Sequence, residues 1–178
     1  MAAFTVRPAV LADAPAIAAI YAHHVREGTA SFDTSPRSVM ETEAKIDACL
    51  AKGWPFLAAQ QGGHVVGYAY ATQFRDRPAY ASSCENSIYI DPGHQCRGVG
   101  KALLAALLAQ AEVAGFRQMI AVIGGGEAAS VALHAKLGFE HAGTMRSVGR
   151  KFGRWLDTVY MQIALGVGDA APPLKEPQ

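Results

Sequence analysis

The chain has 178 residues, of which 51% are hydrophobic and 17% charged, a balance that suits one globular domain and excludes a disordered polymer. Sixteen basic against fifteen acidic residues leave a formal charge of +1, which gives no footprint for nucleic acid or an anionic membrane. The N-terminus lacks a basic stretch followed by an apolar one, and "ALLAALLA" is far too short to span a bilayer, so no signal peptide or membrane span is expected. Cys49, Cys84 and Cys96 are odd in number and lack C-x-x-C spacing, which fits the cytoplasm better than a disulfide framework.

In chain order, "FTVRPAV" predicts a first strand. Asp13 is placed to cap a helix with Pro15 in its first turn, and Ile17, Ile20, Tyr21 and Val25 form its buried stripe up to Gly28. After the loop "TASFDTSP", Ser38 and Glu41 have the spacing of a capping box at the start of a second helix, closed by Gly53. "PFLAAQ" and "HVVGYAYATQ" flank "QGG", the signature of a hairpin. A polar loop, "FRDRPAYASS", then leads to the strand "CENSIYI".

A glycine turn follows and opens into a helix with Leu103, Leu104, Leu107, Leu108 and Ala111 on one face, stopped by Gly115. "QMIAVI" predicts a buried strand, "EAASVALHAKLG" a helix ending at Gly138, and "FEHAGTM" with "WLDTVYMQIAL" a final strand pair. The expected order is β-α-α-β-β-β-α-β-α-β-β. It describes a single α/β (α+β) domain over residues 1–165, with a mixed, mostly antiparallel sheet of about seven strands and about four helices. "GVGDAAPPLKEPQ", residues 166–178, is Pro- and Gly-rich and predicts a flexible tail.

The turn "GHQCRGVGKALL" decides between anion-binding classes. A triphosphate-binding P-loop needs Lys followed by Ser or Thr, but Lys101 is followed by Ala102. A dinucleotide fingerprint needs glycine where Leu103 stands, and no early βαβ unit precedes it. What remains is Gln95-x-x-Gly98-x-Gly100 between a strand and a helix. There, glycines allow close backbone approach, and unpaired amides together with the helix dipole favour a pyrophosphate. Arg97 and Lys101 either add point charges or are simply solvated.

Q-x-x-G-x-G in this position resembles the acyl-CoA pyrophosphate loop of the GNAT acetyltransferases, and the element order is similar to theirs over roughly residues 4 to 165. "TASFDTSP", "FRDRPAY", "ENSIYIDPGHQCRGVGKALL", "AVIGGGEAASVALHAKLGF" and "GRWLDTVYMQ" resemble the branch that acetylates phosphinothricin and methionine sulfoximine or methionine sulfone. The resemblance implies acetyl-CoA as co-substrate, no metal, a homodimer with the final strands or first loops near the interface, and a role in detoxification. It implies a cofactor path along Ile88, Tyr89, Ile90, Gln95, Cys96, Arg97, Gly98, Val99, Gly100 and Lys101. It would also place an Asn, contacting the CoA arm, where this chain has Glu127; a carboxylate cannot donate the same hydrogen bond.

Acetyl transfer to an amine needs the amine neutral, yet a lysine-like amine is about 99% protonated at pH 7. Strand alternation sets Ser83, Glu85 and Ser87 on one face and Ile88 and Ile90 on the other, which makes Glu85 the candidate base, acting through a water. Partial burial should raise its pKa toward the working range. The family has a histidine near its substrate at the position of His134, which implies base assistance or substrate positioning. A backbone amide of "IYI", best that of Ile90, would meet the thioester oxygen. The acid for the thiolate has no candidate, because the "LGF" segment offers Phe139 where many GNAT enzymes have Tyr.

Arg75 and Arg77 are candidate clamps for a substrate carboxylate, and Phe32 a wall of the substrate pocket. Metal chemistry has no support, since His23 and His24 face apart and His64, His94 and His141 lack ligand spacing. Rival readings are a GNAT enzyme acting on a protein N-terminus, a polyamine or an aminoglycoside, or a non-catalytic acyl-CoA-binding domain, which would need the glycine turn but not Glu85.

Overall fold

The computed structural model describes residues 3–173. Seven strands form one sheet: β1 (Thr5–Pro8), β2 (Phe56–Gln61), β3 (His64–Gln73), β4 (Ser83–Ile90), β5 (Gln118–Gly124), β6 (Glu140–Lys151) and β7 (Arg154–Ala164). Their spatial order is β1-β2-β3-β4-β5-β7-β6. Only β4 and β5 pair in parallel; the other neighbours are antiparallel. The helices are α1 (Ala14–Glu27), α2 (Val39–Ala51), α3 (Val99–Val113) and α4 (Ala128–Lys136). This is the predicted order.

Each face of the sheet is sealed by helices. Leu103, Leu104, Leu107 and Ala111 of α3 are fully buried against Leu57, Ala69, Ala71 and Met119. Each such leucine contributes roughly 1.5–3 kcal/mol on leaving water. On the other face Ile17, Ile20, Tyr21 and Val25 of α1 pack with Ile46 of α2 on Phe56, Tyr68 and Tyr70, whose rings stack with centroids 4.8 to 6.3 Å apart. The two periodicities read from the sequence, 3.6 in the helices and 2 in the strands, thus face the same two cores.

Local signals held at most ends. Ser38 and Glu41 form the reciprocal capping box, the Glu41 amide donating to Ser38 Oγ at 3.2 Å and the Ser38 amide to Glu41 Oε2 at 2.7 Å. Gly62 and Gly63 make the β2–β3 turn with φ of 56° and 84°. Asp13 behaves otherwise. A short 3-10 turn at Leu11–Asp13 precedes α1, and the Asp13 side chain makes no capping bond to it. Its carboxylate instead receives the Arg7 guanidinium at 2.7 and 2.8 Å and the Val10 amide at 2.9 Å. A bidentate guanidinium is a stronger partner than a cap amide, so the helix start is tied to β1.

β6 runs well past the predicted "FEHAGTM", to Lys151. Its register shifts between Met145 and Gly149, where Ser147 takes φ 53°. The irregularity removes the alternation that marks a strand in sequence. Beyond β7, the Leu165 amide donates to the Arg117 carbonyl at 2.9 Å, and the Gly168 and Ala170 amides close turns. From residue 174 on, the predicted tail lies outside the described residues.

Candidate active site

The parallel pair β4–β5 creates the site. Its register runs from Ser83↔Gln118 to Asn86↔Ala121 and stops there, so the two strands diverge beyond Asn86. The Asp91 amide donates to the Val66 carbonyl on β3 at 3.0 Å. Strand alternation therefore turns the backbone groups of Ile90 and Ile88 away from β3, into the gap. The Ile90 carbonyl accepts from His24 Nε2 of α1 at 2.8 Å, which confirms that direction. This leaves the Ile90 N–H available on the side where the sequence reading put an oxyanion donor.

Two cavities meet around this gap. One, of about 480 Å³, runs along the diverging strand to the start of α3. Of the predicted cofactor residues, Ile88, Tyr89, Ile90, Gln95 and Cys96 line it. Gly98, Gly100, Lys101 and Glu127 line it as well. Arg97 is exposed outside the lining, and Val99 is buried in the core instead, 2% exposed. Gly98 is the N-cap of α3 with φ 84°, a left-handed conformation that costs an L-residue roughly 1–2 kcal/mol. The first intrahelical bond goes from Ala102 to the Gly98 carbonyl at 3.1 Å, so the amides of residues 99–101 precede it and face the turn unpaired. Cys96 is also left-handed, φ 58°. A Cβ at Gly100 would lie 3.3 Å from Leu133 of α4, so a side chain there would press on the cavity wall. Amides, dipole and Lys101 together suit a diphosphate.

Glu127 stands at the N-cap of α4, and its Oε1 accepts from the Thr29 hydroxyl in the loop after α1. The carboxylate thus acts as an acceptor that ties this loop to α4. An Asn there could have donated toward a ligand.

The second cavity, of about 360 Å³, opens beside the first and shares Ala30, Ile88, Tyr89 and Ser130 with it. Glu85, Phe32 and His134, all anticipated, line it. Glu85 is half-buried, and burial raises its pKa while the charges of Arg75 and Lys45 work against the rise. Phe32 seats its ring on Gly124 and Gly149, where any Cβ would collide with it. His134 is 1% exposed; its Nδ1–H donates to the Ser130 carbonyl at 2.7 Å, its Nε2 faces Asn86 Oδ1 at 3.2 Å, and Phe139 packs edge-on at 4.8 Å. Burial pushes its pKa down.

Arg75 and Arg77 are exposed on the β3–β4 loop and neither lines the cavity, although the Arg75 charge is felt at Glu85. The cations that do line it are Arg37 and Lys45, which sequence reasoning did not single out. Arg37 lies over the Tyr21 ring at 4.4 Å, donates to the Tyr21 hydroxyl at 3.2 Å and pairs with Asp33 at 3.4 Å. Tyr21 in turn donates to Asp33 and lies 2.9 Å from Ser31 Oγ; burial and Asp33 push its hydroxyl up to about 12. Lys45 lies 5.2 Å from the Tyr70 ring centroid. Lys45 lies on α2, but Arg37 precedes the Ser38 cap in the loop before it, so no helical phase marks Arg37 in the sequence. Among the described residues, no group of three or more His, Cys, Asp or Glu is placed to hold a metal.

The chain is similar over most of its length to known acetyltransferases. Residues 6–160 match the acetyltransferase (GNAT) domain. The chain is 49% identical to a phosphinothricin N-acetyltransferase of Alcaligenes faecalis over 96% of its own length and 87% of that protein's. It is 39% identical to an L-methionine sulfoximine/L-methionine sulfone acetyltransferase of Pseudomonas paraeruginosa, over 94% of this chain and 98% of that one. Among solved structures, a phosphinothricin acetyltransferase from Sinorhizobium meliloti in complex with acetyl-CoA superposes with a TM-score of 0.95 at 44% identity, covering 98% of this chain and 95% of the other. With a family match over residues 6–160 and relatives this similar along nearly the whole chain, this chain belongs to the GNAT family of acetyltransferases.

Proposed function

We propose that the chain transfers an acetyl group from acetyl-CoA to the α-amine of a small amino acid or analogue of the phosphinothricin, methionine sulfoximine or methionine sulfone type. The observation that carries this is the position of Glu85: a half-buried carboxylate with a raised pKa, in a cation-bearing cavity that opens onto the diphosphate-suited cleft. The relatives' activities support the choice of acceptor class.

The amides of residues 99–101 and Lys101 hold the diphosphate, and the thioester arm follows the gap between β4 and β5. The thioester carbonyl meets the Ile90 N–H, which is fixed before the reaction and so costs little to align. Glu85, through a water, takes the proton from the acceptor's ammonium, a task for which a raised carboxylate pKa is the better match. The neutral amine attacks the carbonyl carbon directly, and collapse of the tetrahedral adduct breaks the C–S bond. The thiolate of a thiol with pKa about 8.5 leaves without a dedicated acid and takes up the proton that the attacking nitrogen sheds, consistent with Phe139 in the segment where many GNAT enzymes have Tyr. Arg37 and Lys45, with Arg75 nearby, attract the anionic groups of the acceptor, and Phe32 bounds its side chain. His134 positions rather than exchanges protons.

The chain works as a cytoplasmic homodimer in this reading. Support comes from three free cysteines and from Met145, Val148, Phe152 and Trp155 on the β6–β7 hairpin, which are 46% to 62% exposed. No helix among the described residues is long and apolar enough to cross a membrane.

Release of free thiol from acetyl-CoA against a panel of amino-acid analogues, polyamines and peptides tests the acceptor class. Turnover on phosphinothricin or methionine sulfone supports it; turnover confined to peptides or polyamines overturns it.

A further inference from the structure

Asn86 is the polar residue of β4 that neither the cofactor path nor the base accounts for. It is 6% exposed and borders the acceptor cavity, and its Nδ2 is, among the described residues, a buried side-chain nitrogen with no hydrogen-bond partner. Such orphaned donors are rare, because burial takes away the water that would otherwise pair with them.

The partner that needs a donor is His134. Its Nδ1 lies 2.7 Å from the Ser130 carbonyl oxygen, and a carbonyl has no proton to give, so Nδ1 carries the hydrogen. The Ser130 hydroxyl, 3.4 Å away, is too distant to reverse this. Both groups that bond the ring are uncharged, and Glu85, Asp33, Arg37 and Lys45 line the same cavity without hydrogen-bonding it. A ring 1% exposed in these surroundings is favoured as the neutral form. A neutral imidazole protonated at Nδ1 presents a lone pair at Nε2, the atom 3.2 Å from the Asn86 amide. An amide oxygen there would set acceptor against acceptor. Amide oxygen and nitrogen are nearly isosteric, and their assignment follows from the hydrogen-bond network. With Nδ2 toward the ring, the orphaned donor and the unmatched lone pair satisfy each other. The oxygen then left under-satisfied is the lesser fault.

We propose that Asn86 is a positioning residue whose Nδ2–H donates to Nε2 of His134, fixing the neutral Nδ1–H tautomer between β4 and α4. With its lone pair engaged, His134 is not free to accept the acceptor's proton. Glu85 alone is left for that step, a consequence that rests on the acetyltransferase reading above.

Long-range proton–nitrogen correlation spectra of the full chain with labelled histidine read the tautomer directly, the His134 signals being those lost in His134→Gln. The expected wild-type spectrum at pH 7 shows a protonated Nδ1 and an unprotonated Nε2. Asn86→Asp, which can pair only with an Nε2–H, should raise the His134 titration by about one to three pH units. A protonated Nε2 in the wild type, or an unmoved titration in a folded Asn86→Asp variant, overturns the proposal while leaving acetyl transfer intact. Unchanged turnover in Glu85→Gln overturns the base assignment while leaving the spectrum as predicted, so the two failures are told apart.

Discussion

One wall of the acceptor cavity is fastened by a residue outside its lining. Lys151, near the end of β6 and 7% exposed, donates from Nζ to the Gly28 carbonyl at 2.9 Å and the Ser31 carbonyl at 2.7 Å. These two bonds fasten the segment between α1 and α2, which supplies Phe32, Asp33 and Arg37 to the cavity wall. Lys151→Met keeps the stem and removes the charge. A hydrogen bond from a charged donor contributes about 1.5–3 kcal/mol, so the pair is worth about 3–6 kcal/mol gross. The ammonium's desolvation, which pushes its pKa down, offsets part of this. A net loss of about 2–4 kcal/mol is expected, as for other stranded buried polar groups. Urea unfolding at constant slope measures it. Steady-state thiol release should show the acceptor KM rising about tenfold and the acetyl-CoA KM moving less, because the tie touches the cofactor cleft at the Gly28–Ala30 edge and leaves the α3 turn alone. A variant within about 0.5 kcal/mol of the parent, with both KM values unchanged, would refute the role of Lys151.

Other expectations follow from the same geometry. Burial raises the Glu85 pKa, so the acid limb of kcat/KM should lie above the ordinary glutamate value of about 4.3; a limb at or below that value contradicts a buried base. A raised folded-state pKa means the folded protein holds this proton more tightly, a contribution fully present below the unfolded value and lost as pH rises through the folded one. Glu85→Gln should therefore unfold at higher urea than the parent at pH 7, with the gap narrowing toward about pH 4. Glu127→Asn removes an anion from the cofactor cleft and should lower the acetyl-CoA KM about fivefold at low salt, an effect of order 1 kcal/mol; a raised KM would mean that the Thr29 tie matters more than the charge.

The fold was legible because its signals are local. Leucines at helical spacing, a Gly-Gly hairpin and a Ser–Glu capping box each specify their element without help from distant residues. The glycine turn was legible for the same reason, since Gly98 at φ 84° and unpaired amides are properties of seven consecutive residues. Asp13 misled because its carboxylate found Arg7, a partner set by β1 rather than by the helix. The acceptor cavity was only half legible. Glu85 follows from strand phase and His134 from the family resemblance, but Arg37 and Lys45 reach the cavity from the loop before α2 and from α2, whose approach depends on how that helix lies on the sheet. His24 was set aside as a poor metal ligand, yet it donates to the Ile90 carbonyl at the centre of the gap. Nothing in its neighbours along the chain shows that contact, which joins residues 66 positions apart.

In the mechanism proposed above, one cleft holds acetyl-CoA by main-chain amides while Glu85, in the adjoining cavity, removes the proton. Calorimetric titration of Glu85→Gln with acetyl-CoA, paired with its thiol-release rate, separates these two tasks. The variant should bind acetyl-CoA within about twofold of the parent and turn over more slowly by about 10² or more. Undiminished turnover, or a variant that no longer takes up acetyl-CoA, would contradict it.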